Sequence, residues 1–174
     1  MLERVIGVFK LDSATFEEIE HDTGATSQAA IVVLIVALIS AIGGGVSAAI
    51  GDASFLSSFA GSLLATFVGW LVWSAVTYFI GTSLFKGQAT LDEMLRVIGF
   101  AYAPQVLGII PCIGTLIGAI WSLIAGFIAV RQGLDLDNTK ALLTIVVGFI
   151  AYIILWAILG SIFGLGGALL GSLG

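Results

Sequence analysis

The sequence predicts an all-α, polytopic integral membrane protein: a bundle of five transmembrane helices led by a short amphipathic N-terminal segment. Three observations carry this expectation. The 174 residues are 59% hydrophobic and 10% charged, with a mean hydropathy of +1.17, so most of the charged positions of a soluble skin are missing. The apolar runs have the length, roughly 20 residues, that takes a helix across a ~30 Å hydrocarbon core. The stretch from Gly99 to Val130 has no charge and holds both prolines, Pro104 and Pro111. It reads as a membrane hairpin whose first arm bends at Pro104 and whose turn is Pro111-Cys112-Ile113-Gly114.

Residues 1–28 form the polar lead-in. Leu2, Val5, Ile6 and Phe9 fall on one face of a short helix, suited to lie in the headgroup layer with its apolar side down. Thr15-Phe-Glu-Glu18 has the form of a capping box, so a second short helix is expected to dip Phe16 and Ile19 into the same layer. Six of the eleven acids lie in this lead-in.

The membrane domain covers residues 29–163. Its first span, about 29–50, is β-branched and leucine-rich in front and small behind. An unwound turn or kink is expected at Gly43-Gly44-Gly45. A short link carrying Asp52 leads to the second span, about 56–79. There Ser57, Gly61, Ala65 and Gly69 recur every four residues, a groove for close helix contact in lipid. Trp70, Trp73 and Tyr78 read as an interfacial aromatic cluster.

Thr90-Leu-Asp-Glu93 is a second capping box. A third helix, about 95–110, follows an exposed first turn of Asp92, Glu93 and Arg96. Only Val97 to Ile110 is free of charge, roughly 21 Å of helix. Pro104 removes a hydrogen bond inside it and presses on the carbonyl of Phe100. Tyr102 and Gln105 are the polar side chains at this kink, expected to satisfy backbone groups there or to touch a ligand or partner.

The fourth span, about 113–130, repeats the every-four pattern with Gly114, Gly118, Ser122 and Gly126. Two grooves imply two tight internal crossings, or one internal and one with a partner. Arg131 closes this helix, with Gly133 as its C-cap. The fifth span, about 141–163, carries Tyr152 and Trp156 in its outer half. The glycine-rich tail, 164–174, either prolongs that helix or lies on the bilayer surface.

Arg4, Lys10, Lys86, Arg96, Arg131 and Lys140, all six basic residues, fall on one side of this topology. The positive-inside rule then places the N-terminus in the cytoplasm and the C-terminus outside.

The chemistry is sparse. No Asp, Glu, Lys, Arg or His lies well inside a span, as proton relays and ion pathways need. Catalytic residues, metal ligands and cofactors are therefore not expected, and the chain is not read as an enzyme. His21 is a solvated residue of the lead-in, and Cys112 a small turn residue. No basic patch suggests nucleic acid.

Three stretches resemble the Yip/Yif family of Ypt/Rab-GTPase-interacting membrane proteins: Gly99-Phe-Ala-Tyr102-Ala-Pro104, Leu91-Asp-Glu-Met-Leu-Arg96 before it, and AVRQGLDLDNTKALL from Ala129 to Leu143. The lead-in stretches Phe16-Glu-Glu-Ile-Glu and Ala25-Thr-Ser-Gln-Ala29 are similar to its short prokaryotic branch. The resemblance implies a five-span bundle with a cytosolic N-terminus. It also implies a place in vesicle traffic, where eukaryotic members bind prenylated small GTPases and one another. The chain departs from those members. It lacks their long N-terminal region and its acidic-aromatic-Gly-Pro motif, so a small GTPase is not an expected partner.

Two functions stand open. One is a non-catalytic scaffold, accessory subunit or membrane-organising factor that packs against other membrane proteins or against itself. The alternative is a small transporter or channel component with a discontinuous third helix at Pro104. Either would be integral to the cell membrane in a prokaryote, or to an endomembrane in a eukaryote.

Overall fold

The computed structural model describes residues 1–51, 54–110 and 113–171. The link at Asp52 and the Pro111-Cys112 turn lie outside them, as does the Trp156 side chain. Seven α-helices and one 3-10 helix make up the described chain: α1 (Leu2–Phe9), α2 (Ser13–His21), α3 (Ala25–Ile50), α4 (Phe55–Phe85), α5 (Leu91–Ala101), a 3-10 helix (Ala103–Ile109), α6 (Ile113–Gly133) and α7 (Asn138–Gly171). Four stretches are long and apolar enough to cross a membrane: Ala25–Val46, Phe55–Phe85, Ile113–Gly133 and Asn138–Leu155.

Local chemistry sets the helix ends. Thr90 and Glu93 form the reciprocal capping box that starts α5, satisfying two orphan backbone donors. In α2 the capping residue is Asp12, whose carboxylate accepts from the Ala14 N–H at 3.2 Å and from the Thr15 hydroxyl at 2.8 Å. The helix therefore starts before Thr15, ahead of the expected box. Lys86 closes α4 in the left-handed conformation (φ 58°). Beyond α6 the left-handed residue is Asp135 (φ 52°), not Gly133. Gly133, the last helical residue, is bare for a different reason: a Cβ there would lie 2.7 Å from Val97.

The Gly43–Gly45 run stays helical. Its bare backbone admits α4: a Cβ on Gly44 would lie 2.6 Å from Ser62 Oγ, and one on Gly45 2.6 Å from the Phe55 ring. Packing of the α3–α4 hairpin thus replaces the expected kink. The tail prolongs α7 as far as Gly171.

The break at Pro104 is sharper than a bend. α5 stops at Ala101, and the Tyr102 and Gln105 N–H groups bond three residues back, to Gly99 (3.3 Å) and Tyr102 (2.9 Å). Pro104 stands in the first turn of the 3-10 helix, where its missing N–H costs nothing. The 3-10 form rises about 2.0 Å per residue against 1.5 Å. α5 and the 3-10 helix together therefore reach roughly 30 Å.

This composite arm runs antiparallel to α6 along its whole length. Cβ atoms added at Gly114, Gly118 and Gly133 would meet Leu107, Pro104 and Val97 in turn.

The core lies at one end of the bundle. Its largest fully buried side chains include Phe16 and Ile19 of α2, Met94, Ile98 and Phe100 of α5, and Leu134 beyond α6. Phe16 and Ile19 thus pack into protein and not into headgroups. On α1, Val8 is fully buried while Leu2 and Ile6 are exposed, so the expected apolar stripe splits between protein and surroundings. Trp70 is buried too, its indole donating to the Leu95 carbonyl at 3.1 Å. Because α4 extends to Phe85, Trp70 and Trp73 fall at mid-helix, and both pack against the core.

Candidate intramembrane site and its charged cap

The break positions a cavity of about 330 Å³ between α4, the composite arm, α6 and α7. Tyr102 and Gln105 border it from the break, and Ser122 and Gly126 from α6. Trp73 of α4 and Tyr152 of α7 meet edge-to-face there, ring centres 5.7 Å apart. Gly69 lies beside Tyr152, a Cβ there falling in ordinary contact, 3.4 Å, with its hydroxyl. Two sets of residues noted separately in the sequence, the kink and part of the α6 stripe, thus meet at one site.

Gln105 also borders a second cavity, about 890 Å³, on the far side of the arm against Ile39, Ser40 and Gly43 of α3. Hydroxyl and amide groups line both cavities. No carboxylate, imidazole, ammonium or guanidinium does so among the described residues, and no three potential metal ligands converge there.

The small-residue stripes have different fates. Gly118 lies against main chain, a Cβ there falling 2.7 Å from the Pro104 carbonyl oxygen, and Gly114 approaches the Leu107 carbonyl more closely still. On α4, Gly61 and Ala65, expected at helix contacts, are exposed, and nothing lies within 4 Å of a Cβ at Gly61. The hairpin contact to α3 runs through Ser58 and Ser62 instead, which turns the Gly61 side outward. Gly126 also has open space beyond it, the space of the cavity.

The charged end holds the residues that sequence reasoning missed. Arg96, expected on an exposed turn, is 2% exposed. It pairs with Asp92 and, at 3.9 Å, with Glu93, and donates to the Thr26 hydroxyl at 3.4 Å and to the Glu20 carbonyl. One guanidinium thereby ties the end of α2 to the starts of α3 and α5. Arg4 links α1 to Glu18 (2.9 Å), Asp22 (2.6 Å) and Gln28 (3.3 Å). Arg131 donates to Ser13 at 2.8 Å, and Trp121 to the Phe9 carbonyl at 2.9 Å. Glu20 is buried under this cap, and its Oε2 has no partner. Burial and the nearby Asp135 carboxylate push its pKa up to about 7. The spacings Asp92–Arg96 and Glu93–Arg96 announce helix ion pairs. Nothing local announces the lid that buries Arg96.

A family model described as the Yip1 domain matches residues 6–160. Neither a curated protein nor a solved structure matches the chain.

Proposed function

Since the chain belongs to the Yip1 domain family and is a membrane protein, we propose that it acts as a non-catalytic scaffold or accessory subunit, holding another membrane helix against α4. One observation carries this reading. The small-residue stripe of α6 is consumed internally at Gly114 and Gly118, whereas the Ser57-Gly61-Ala65 face of α4 is open. Small side chains let two helix backbones approach closely in lipid, where dispersion contacts drive association. The occupant is a helix of another membrane protein or of a second copy.

The reading includes a fifth crossing. The composite arm accompanies α6 from Gly114 to Gly133, so if α6 crosses the bilayer the arm crosses beside it. It also includes a cytoplasmic charged end, because Arg4, Arg96 and Arg131 all join that cap. With five crossings the C-terminus lies on the opposite side.

Cross-linking in native membranes, followed by purification in mild detergent, tests the scaffold reading. A stoichiometric complex should form, and Gly61→Leu should abolish it without changing the melting temperature of the monomer. The transporter alternative is favoured by the two cavities flanking Gln105. Substrate flux through the pure protein in liposomes would overturn the scaffold reading.

A further inference from the structure

The hydroxyl of Ser122 differs from several others on the crossing helices. Thr66, Thr77, Thr82, Thr144 and Ser161 each donate to the carbonyl four residues back, the usual way a hydroxyl is satisfied inside lipid. Ser122 Oγ is buried and has no partner. Ser74 shares that state, but it is fully enclosed and borders neither cavity. Ser122 borders the 330 Å³ cavity, and so does Gln105, whose side-chain amide bonds to no described residue. An unpaired buried polar group costs free energy. Ser122 carries that cost, and a guest that accepts its hydrogen bond would also lie within reach of the half-buried Gln105 amide.

We propose that this cavity binds an uncharged, ring-bearing molecule dissolved in the bilayer, through a carbonyl that accepts hydrogen bonds from Ser122 and Gln105. The lining dictates each part of that description. Among the described residues no carboxylate, imidazole, ammonium or guanidinium borders the cavity to neutralise a charge. Trp73, Tyr102, Phe149 and Tyr152 present aromatic surfaces, which suit a flat ring. A hydroxyl and a primary amide both donate, so a carbonyl satisfies both. The volume lies at the small end of the range for ligand pockets with a few fixed polar groups. Entry is sideways from lipid: Leu123 of α6 and Phe149 of α7, on the rim, are 72% and 57% exposed. The site shares no residue with the α4 face and does not rest on the scaffold reading.

The test uses the full chain in phosphatidylcholine nanodiscs with menadione, a neutral bicyclic quinone, as probe. Trp73 supplies the signal. Tryptophan quenching should contain a saturable component that disappears in Trp73→Phe. Ser122→Ala and Gln105→Leu should each raise the half-saturating concentration about fivefold, the value of one hydrogen bond. Gly126→Leu, whose side chain has open space to enter, should fill the cavity and abolish saturation while the protein still folds. Quenching that only rises linearly with bilayer quinone, equally in the parent and in Gly126→Leu, would mean a cavity holding water alone and would overturn the proposal. So would saturable binding indifferent to both Ser122→Ala and Gln105→Leu. These two substitutions keep the test decisive if Gly126→Leu does not fold.

Discussion

The guanidinium of Arg96 donates to the main-chain carbonyl of Glu20, 76 positions away in sequence. It thereby caps the last turn of α2 with a charge held on α5. Removing it strands that buried carbonyl and takes the ion-pair partner from the half-exposed Asp92 carboxylate. Arg96→Leu should destabilise the protein by about 3 kcal/mol. Arg96→Lys should recover only part of the loss, because an ammonium lacks the fork that reaches several acceptors. Thermal unfolding in detergent measures both, and an Arg96→Leu protein that melts with the parent would remove the staple from the account.

Glu20 makes the same cap sensitive to pH. Its folded pKa, about 7, lies above the ordinary carboxylate value. Between that ordinary value and about 7 the folded protein keeps a proton that the unfolded chain has released. Stability therefore falls as pH rises through this window and levels off above it. Glu20→Gln should flatten the slope and raise the melting temperature at pH 8. Parallel melting curves for parent and variant from pH 5 to pH 8 would show that Glu20 is not the titrating group.

Gly118 and Gly61 give a paired prediction. At Gly118 even a methyl meets the Pro104 carbonyl oxygen, and main chain cannot rotate aside. Gly118→Leu should cost at least ~3 kcal/mol or prevent folding. At Gly61 the space is open, so Gly61→Leu should leave monomer stability within about 0.5 kcal/mol of the parent. Equal effects at the two sites would contradict the assignment of one stripe to the interior and the other to a partner.

Cys112 is the chain's own topology probe, being its single cysteine. It falls between the composite arm and α6. If the proposed topology holds, with a cytoplasmic charged end and five crossings, an impermeant maleimide should label it in intact cells from outside. Labelling only after the cells are opened would reverse the orientation or remove the fifth crossing.

What the sequence disclosed was local. Thr90 and Glu93 announce the start of α5 because both halves of a capping box lie within four residues. Pro104 announces a break because its chemistry forbids a continuous helix. The length of that break was not legible: the 3-10 form depends on Gly114 and Gly118 of α6 lying against it. Phe16 and Ile19 read as membrane-dipping because an amphipathic helix looks the same whether lipid or protein covers it. Arg96 misled for a related reason, since the lid that buries it is supplied by a different helix. In the cavity, the proline marks Tyr102 and Gln105 in the sequence, but nothing there pairs them with the wall of Trp73 and Tyr152. Those residues come from α4 and α7, and only the packing of the bundle brings them to the break.

The helices of this bundle are unequal in length. α6 spans roughly 31 Å and α3 roughly 39 Å, but α4 and α7, with 31 and 34 residues, span roughly 46 and 51 Å. α4 and α7 also pack on each other, Gly148 of α7 lying against Trp73 and Thr77 of α4. The apolar stretch of α4, 31 residues, is longer than that of α6, 21 residues. Lipid of ordinary thickness matches the α6 flank, while the α4–α7 pair must lean over or gather longer acyl chains around it, at a fraction of a kcal/mol for each ångström of mismatch. Acyl-chain length thus becomes a variable that acts on the angle between α6 and α7, and so on the width of the gap through which a guest from the bilayer would enter.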